Sequence, residues 1–195
     1  MTRENFRDRF QKTMIEIANQ VEINSILSQN DNIINIFNAI LEIYKRNRIV
    51  FIYGAGRSGF VGRCFAQRLM HLGIRSCFIS DAITYQYTNE DLLILISGSG
   101  ETTSTVAMEK KARKIGGKIT LFGSNPKSTI GEIADHVIEI QGKSKDMATS
   151  QESLAPYTSL FDISTLAVLD SLGGLLMNKL DVTEVDIDNR HATIE

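Results

Sequence analysis

The chain has 195 residues, 43% of them hydrophobic and 23% charged, with a formal net charge of -2 at pH 7. This balance is that of an ordinary globular protein, not a disordered one, and gives no electrostatic footing for nucleic acid or an anionic membrane surface. The length suits one domain over residues 1–195 with a single core, and the expected fold and site follow from the elements in order.

Residues 3–27 carry Phe6, Phe10, Met14, Ile17 and Val21 at helical spacing, and Asn32–Arg46 repeat the pattern with Ile33, Ile36, Phe37, Ile40, Leu41 and Tyr44. These helices (residues 1–46) form an N-terminal extension, read either as a cover for the sheet or as a hairpin at a subunit interface. Strands are then expected at Ile49–Tyr53, Ile74–Ser80, Leu92–Ile96, Lys118–Phe122 and Val137–Ile140. Helices alternate with them at Phe60–Leu72, Thr103–Ile115 and Ile130–Ala134, and Gly116-Gly117 offers a left-handed cap. Such alternation predicts an α/β fold, a doubly wound five-stranded parallel sheet flanked by helices. A polar loop over 141–156, a long helix Tyr157–Leu180 and a polar tail over 181–195 complete the chain. Cys64 and Cys77, without metal-ligand spacing, read as buried free thiols in a reducing cytosol. The start MTRENFRDRF lacks the apolar centre of a signal peptide, and no apolar run is read as a membrane span, so a cytoplasmic place is expected.

Two glycine-rich loops carry the chemistry. Gly54-Ala55-Gly56-Arg57-Ser58-Gly59 follows a strand and opens a helix, the form of a dinucleotide fingerprint. Asp81, the carboxylate that would bind ribose, lies 27 residues beyond Gly54, where the fingerprint has roughly 20. The second loop, Ser97-Gly98-Ser99-Gly100-Glu101-Thr102, follows the apolar run LLILI and leads into a helix. Backbone N–H groups at such a turn, with hydroxyls beside them, make a nest for an anion. Two such loops at neighbouring strand ends suit one small phosphorylated ligand better than a dinucleotide. Neither ends in the G-K-S/T of a nucleotide-hydrolysing loop.

The segment SGSGETTST resembles the S-x-S-G-x-T signature of the sugar isomerase (SIS) domain. The stretch FIYGAGRSGFVGRCFAQRLMHLG, LLILISGSGET and the closing Arg190-His191-Ala192 resemble the 6-phospho-3-hexuloisomerase branch, over roughly residues 30–195. The resemblance implies an SIS-type sheet, a homo-oligomer with a tetramer favoured over a dimer, and no cofactor or metal. It also implies conversion of D-arabino-3-hexulose 6-phosphate to fructose 6-phosphate and back, by enediol proton transfer. The phosphate-binding candidates are Gly56, Arg57 and Ser58 together with Ser97, Gly98, Ser99, Gly100, Glu101 and Thr102. Arg57 can alternatively pair with a carboxylate at an interface. The branch places a catalytic glutamate after Pro-x-x-x-x-Phe; here the frame runs Pro156 to Phe161 and the acid is Asp162, with Tyr157 and Thr158 replacing methionine and glycine. Glu152 is the alternative acid, and His191 is expected to reach a neighbouring subunit's site. The competing expectations are a phosphosugar sensor without turnover and a dinucleotide-dependent oxidoreductase.

Overall fold

A computed structural model gives the architecture of residues 2–142 and 153–193. Strands β1 (Val50–Gly54), β2 (Ser76–Phe78), β3 (Leu92–Ile96), β4 (Lys118–Gly123) and β5 (His136–Glu139) form an all-parallel sheet in the order β2-β1-β3-β4-β5. In register, Val50 lies opposite Leu92 and Gly54 opposite Ile96, so β1 and β3 end level with each other.

The near-continuous apolar runs are explained by burial on both faces. Val50, Ile52, Leu92, Ile94 and Ile96 point to one side. There they meet Ile36 and Ile40 of α2 (Asp31–Lys45), Phe65 and Leu69 of α3 (Arg57–His71), and Leu169, Leu172 and Leu176 of α5 (Ser159–Lys179). Phe51, Leu93, Leu95, Ile119 and Leu121 point to the other side, with Ala112 of α4 (Thr103–Ile115). Each of these large side chains, fully buried, contributes about 1.5–3 kcal/mol. As expected, α4 ends at Gly116, whose φ of 100° gives the left-handed cap.

The first helix, α1 (Arg3–Ile23), covers α5 rather than the sheet and contributes no buried residue. It leads through a 3₁₀ segment, Asn24–Gln29, into α2. Its polar face and the segment after it brace two stretches of backbone. Asn24 exchanges hydrogen bonds with Gln141, its Nδ2 donating to the carbonyl at 2.7 Å and its Oδ1 accepting from the amide at 2.8 Å. The Glu16 carboxylate accepts from Ser153 Oγ at 2.8 Å and from the amides of Leu154 and Ala155 at 2.9 and 2.7 Å.

Four details differ from expectation. Residues 129–133 form consecutive turns where a helix is expected over Ile130–Ala134, because the Ser128 hydroxyl accepts from the Gly131 amide and five residues cannot sustain a helix against that competitor. The tail contains a helix, α6 (Glu184–Arg190), started by a capping box between Thr183 and Asp186. Cys64 is exposed and Cys77 half-buried; the buried stripe of α3 runs through Val61, Phe65 and Leu69, and Cys64 falls off it. Finally, α5 is long and apolar enough to cross a membrane by length and composition, but its Leu169, Leu172 and Leu176 fill the core beside the sheet.

One buried carboxylate on α4 stands apart. Glu109 is fully buried and neither oxygen has a hydrogen-bond partner among the described residues. Burial pushes its carboxyl above the usual value of 4.5, against a weaker pull from Arg113 and Lys110. The folded state therefore holds this proton more tightly than the unfolded chain, and stability falls as pH rises from 4.5 through the raised value. Glu109→Met is expected to stabilise the protein at pH 7 by roughly 1 kcal/mol, with the gain shrinking as pH approaches 4.5. Thermal melts at the two pH values check this, and a gain independent of pH would contradict it.

Candidate active site

The chain leaves β1 for one side of the sheet and β3 for the other, so the strand order reverses between them and their carboxyl ends open into a crevice. A cleft of about 250 Å³ occupies it. Three stretches far apart in sequence line it: Ala55, Arg57 and Ser58 before and within α3, Ile96–Ser99 and Thr102 after β3, and Tyr157, Thr158, Phe161 and Asp162 at the start of α5. A larger hollow of about 680 Å³ lies between α1 and residues 139–142.

The loop after β3 is built to bring backbone close to a ligand. Ser97 Oγ accepts from the Gly100 amide at 3.2 Å and lies 3.4 Å from Thr102 Oγ1. The Gly98 carbonyl accepts from the amide and hydroxyl of Ser124, which ties the loop to the end of β4. Gly98 faces the Phe161 ring, and a Cβ there would lie 3.4 Å from it. Gly100 has φ +68°, and a Cβ would fall 1.9 Å from Ser128 Oγ. Both the backbone angle and the space favour glycine there. Thr102 caps α4 without spending its side chain on the helix, so its hydroxyl and the first amides of α4 remain available beside the positive end of the helix dipole.

The other glycine loop owes its pattern to packing. A Cβ on Gly54 would lie 2.8 Å from the Ser58 carbonyl oxygen, and one on Gly59 2.6 Å from the Gly54 carbonyl oxygen. The two glycines let α3 start directly against the end of β1. Gly56 sits at φ 59°, ψ -129°, open to glycine alone. Asp81, the carboxylate a dinucleotide would need, forms an ion pair with Arg63 at 3.0 Å.

The decisive feature lies opposite the anion nest. Asp162 is only 3% exposed, and its carboxylate accepts three hydrogen bonds. Ser58 Oγ donates to Oδ1 at 2.9 Å, while Thr158 Oγ1 and Arg57 Nε donate to Oδ2 at 2.8 and 3.2 Å. Ser58 and Arg57, both phosphate candidates from sequence, are thus engaged with a carboxylate of the same chain. An anion nest and a buried acid share one small cleft.

Comparison with known proteins bears on this arrangement. Residues 42–167 match the model of the SIS domain. The chain belongs to the SIS domain family. A Methanocaldococcus jannaschii relative named 3-hexulose-6-phosphate isomerase is 34% identical over 178 residues, covering 91% of this chain and 94% of the relative. A crystal structure from Methanococcus jannaschii, for which the molecular function of 3-hexulose-6-phosphate isomerase was inferred, superposes with TM-score 0.83 at 31% identity, covering 94% of this chain and 99% of that one. An Escherichia coli protein in complex with a phosphosugar has TM-score 0.79 at 25% identity, covering 98% and 100%.

Within the SIS fold, the remaining sequence candidates fall in different places. Glu101 turns away from the cleft; its carboxylate accepts from the amide and hydroxyl of Thr129 at 2.6 and 2.7 Å, and these bonds hold its carboxyl below the usual range. It ties the SIS loop to the turn beyond β4. Glu152 lies outside the described residues. His191 follows α6 and stacks on His71, ring centroids 5.0 Å apart, while Arg190 donates to the His71 carbonyl at 2.9 Å. His71 ends α3 and Arg57 begins it, so His191 sits about 20 Å from the cleft of its own chain. His71 itself has no hydrogen-bond partner for Nε2 among the described residues. Tyr157 and Thr158 are the cleft residues that the sequence marks only as departures from the branch's pattern.

The SIS loop gives a direct test. Gly100→Ala must displace Ser128 and strain a left-handed backbone. It is expected to lower stability by about 2 kcal/mol and to remove the thermal shift produced by adding fructose 6-phosphate. Melting curves with and without the sugar phosphate check both; a wild-type shift in the variant would move the phosphate site elsewhere.

Proposed function

We propose that this SIS protein is a phosphosugar isomerase that interconverts D-arabino-3-hexulose 6-phosphate and fructose 6-phosphate. The observation that carries the proposal is the buried Asp162 carboxylate in the same cleft as the Ser97–Thr102 nest. One end of the cleft suits a phosphate and the other offers a base. The relatives named for this reaction support the substrate pair, since their likeness spans nearly the whole length of both chains. The SIS neighbour that holds a phosphosugar supports a phosphorylated sugar as ligand.

The reaction moves a carbonyl between C3 and C2. With the phosphate fixed by the nest, Asp162 takes the proton from C2 of the 3-ketose, and the C–H electron pair becomes the double bond of an enediol. The proton returns at C3, the oxygens exchange one proton between them, and the 2-ketose results. Holding base and substrate in one geometry is what such a transfer requires. Arg57, bonded to Asp162 through Nε and 61% exposed at the side chain, can turn its remaining N–H groups toward the enediol oxygens. The chemistry requires neither electron transfer nor a Lewis acid. The reading includes a cytoplasmic homo-oligomer, with a tetramer favoured, in which His191 acts at a neighbouring subunit's cleft.

Purified protein incubated with fructose 6-phosphate in deuterated water is expected to form the 3-ketose and to place deuterium at C3 of fructose 6-phosphate or C2 of the 3-ketose. Asp162→Asn is expected to lower kcat by about 10²–10⁴-fold with sugar-phosphate binding retained. Mass spectrometry and NMR of the sugars follow both. Binding without 3-ketose or label would make the protein a sensor and refute the isomerase.

A further inference from the structure

The residue before α5 shows three peculiarities at once. Thr158 adopts φ 64° and ψ -8°, a left-handed conformation that a β-branched side chain rarely takes. It occupies the N-cap of α5, where a threonine ordinarily has an extended backbone and accepts a hydrogen bond from a helix amide. Its side chain makes no such cap. Instead the hydroxyl donates to Asp162 Oδ2 at 2.8 Å, while its own carbonyl accepts from the Asp162 amide at 2.9 Å. The strained backbone and the forgone cap both disfavour threonine here. The contact that remains is the one with the cleft's carboxylate.

The geometry points to Thr158 as a positioning residue for the base, an inference that rests on the isomerase reading above. The two oxygens of Asp162 are not equivalent. Oδ2 accepts from Thr158 and from Arg57, which fills its two in-plane lone pairs. Among the described residues Oδ1 accepts from Ser58 alone and so keeps one lone pair. Thr158 therefore decides which oxygen is the base: it occupies Oδ2 and leaves Oδ1 to receive the substrate proton. The C–H bond at C2 breaks toward Oδ1, the electron pair enters the enediol, and Oδ1 returns the proton to C3. Without the Thr158 hydroxyl, Oδ2 also has a free lone pair, and the carboxylate can turn about its last torsion. Aspartate is short, so a rotated carboxylate loses reach toward the sugar.

The test compares wild type, Thr158→Val, Thr158→Ser, Thr158→Gly and Asp162→Asn. Valine keeps shape and backbone strain but removes the hydroxyl; it is expected to lower kcat by roughly tenfold to a hundredfold with KM within about threefold of wild type. Serine restores the hydroxyl and is expected to keep kcat within about threefold. Glycine relieves the strained φ, so its melting temperature should rise while its kcat falls as in the valine variant. That opposition of stability and turnover is not produced by a structural role. Wild-type kcat in the valine or glycine variant, with Asp162→Asn inactive, overturns the role given to Thr158. Turnover surviving in Asp162→Asn, or absent from wild type, instead refutes the isomerase reading on which it rests.

Discussion

The parallel pairing of β1 with β3, Gly54 opposite Ile96, is the constraint from which the site follows. Because the chain departs from these two strands toward opposite edges of the sheet, their ends are left uncovered side by side. The proposed anion nest is the continuation of one strand and the Arg57–Ser58 helix start is the continuation of the other. Neither loop needs to fold around the ligand; the sheet delivers both. The buried faces of the sheet, filled by Ile52, Ile94 and Leu95 among others, hold that delivery rigid.

Onto this frame α5 brings the acid. Asp162 joins α5 to the start of α3 through Ser58 and Arg57, across more than a hundred residues of sequence. A carboxylate buried in this way is costly unless its lone pairs are engaged, and three donors engage it. The same bonds serve two ends. They bind the third wall of the cleft to the other two, and they fix the orientation of the group proposed to carry the proton.

Much of this was legible beforehand. The strands announced themselves as apolar runs, and the two loops as glycine and hydroxyl patterns next to them, because both signals are local. The meaning of Gly54 and Gly59 was not, since their close approach is between a strand end and a helix start and mimics a nucleotide fingerprint. Sequence ties Ser58 to the phosphate and leaves Arg57 between the phosphate and an interface carboxylate, because Asp162, which both of them bond, is distant in sequence. The role of Thr158 could not be recognised at all: a left-handed φ leaves no mark in composition. The helix α6 was missed although Thr183-x-x-Asp186 is a capping pattern, because its polar sequence supplied no apolar period.

The brace made by α1 bears on where this protein can be cut. The family match spans residues 42–167, which excludes α1 and divides α5 twelve residues before its end at Lys179. A fragment trimmed to those limits would keep both loops, Asp162 and every strand. It would also lack Leu169, Leu172 and Leu176, leaving the groove beside Phe65 and Leu69 open to water. The segment over 153–155 would have lost Glu16, the carboxylate that accepts from two of its amides. The recognisable core of the family is thus smaller than the piece of chain that covers its own apolar faces, and a fragment bearing the whole signature would expose apolar surface that invites aggregation.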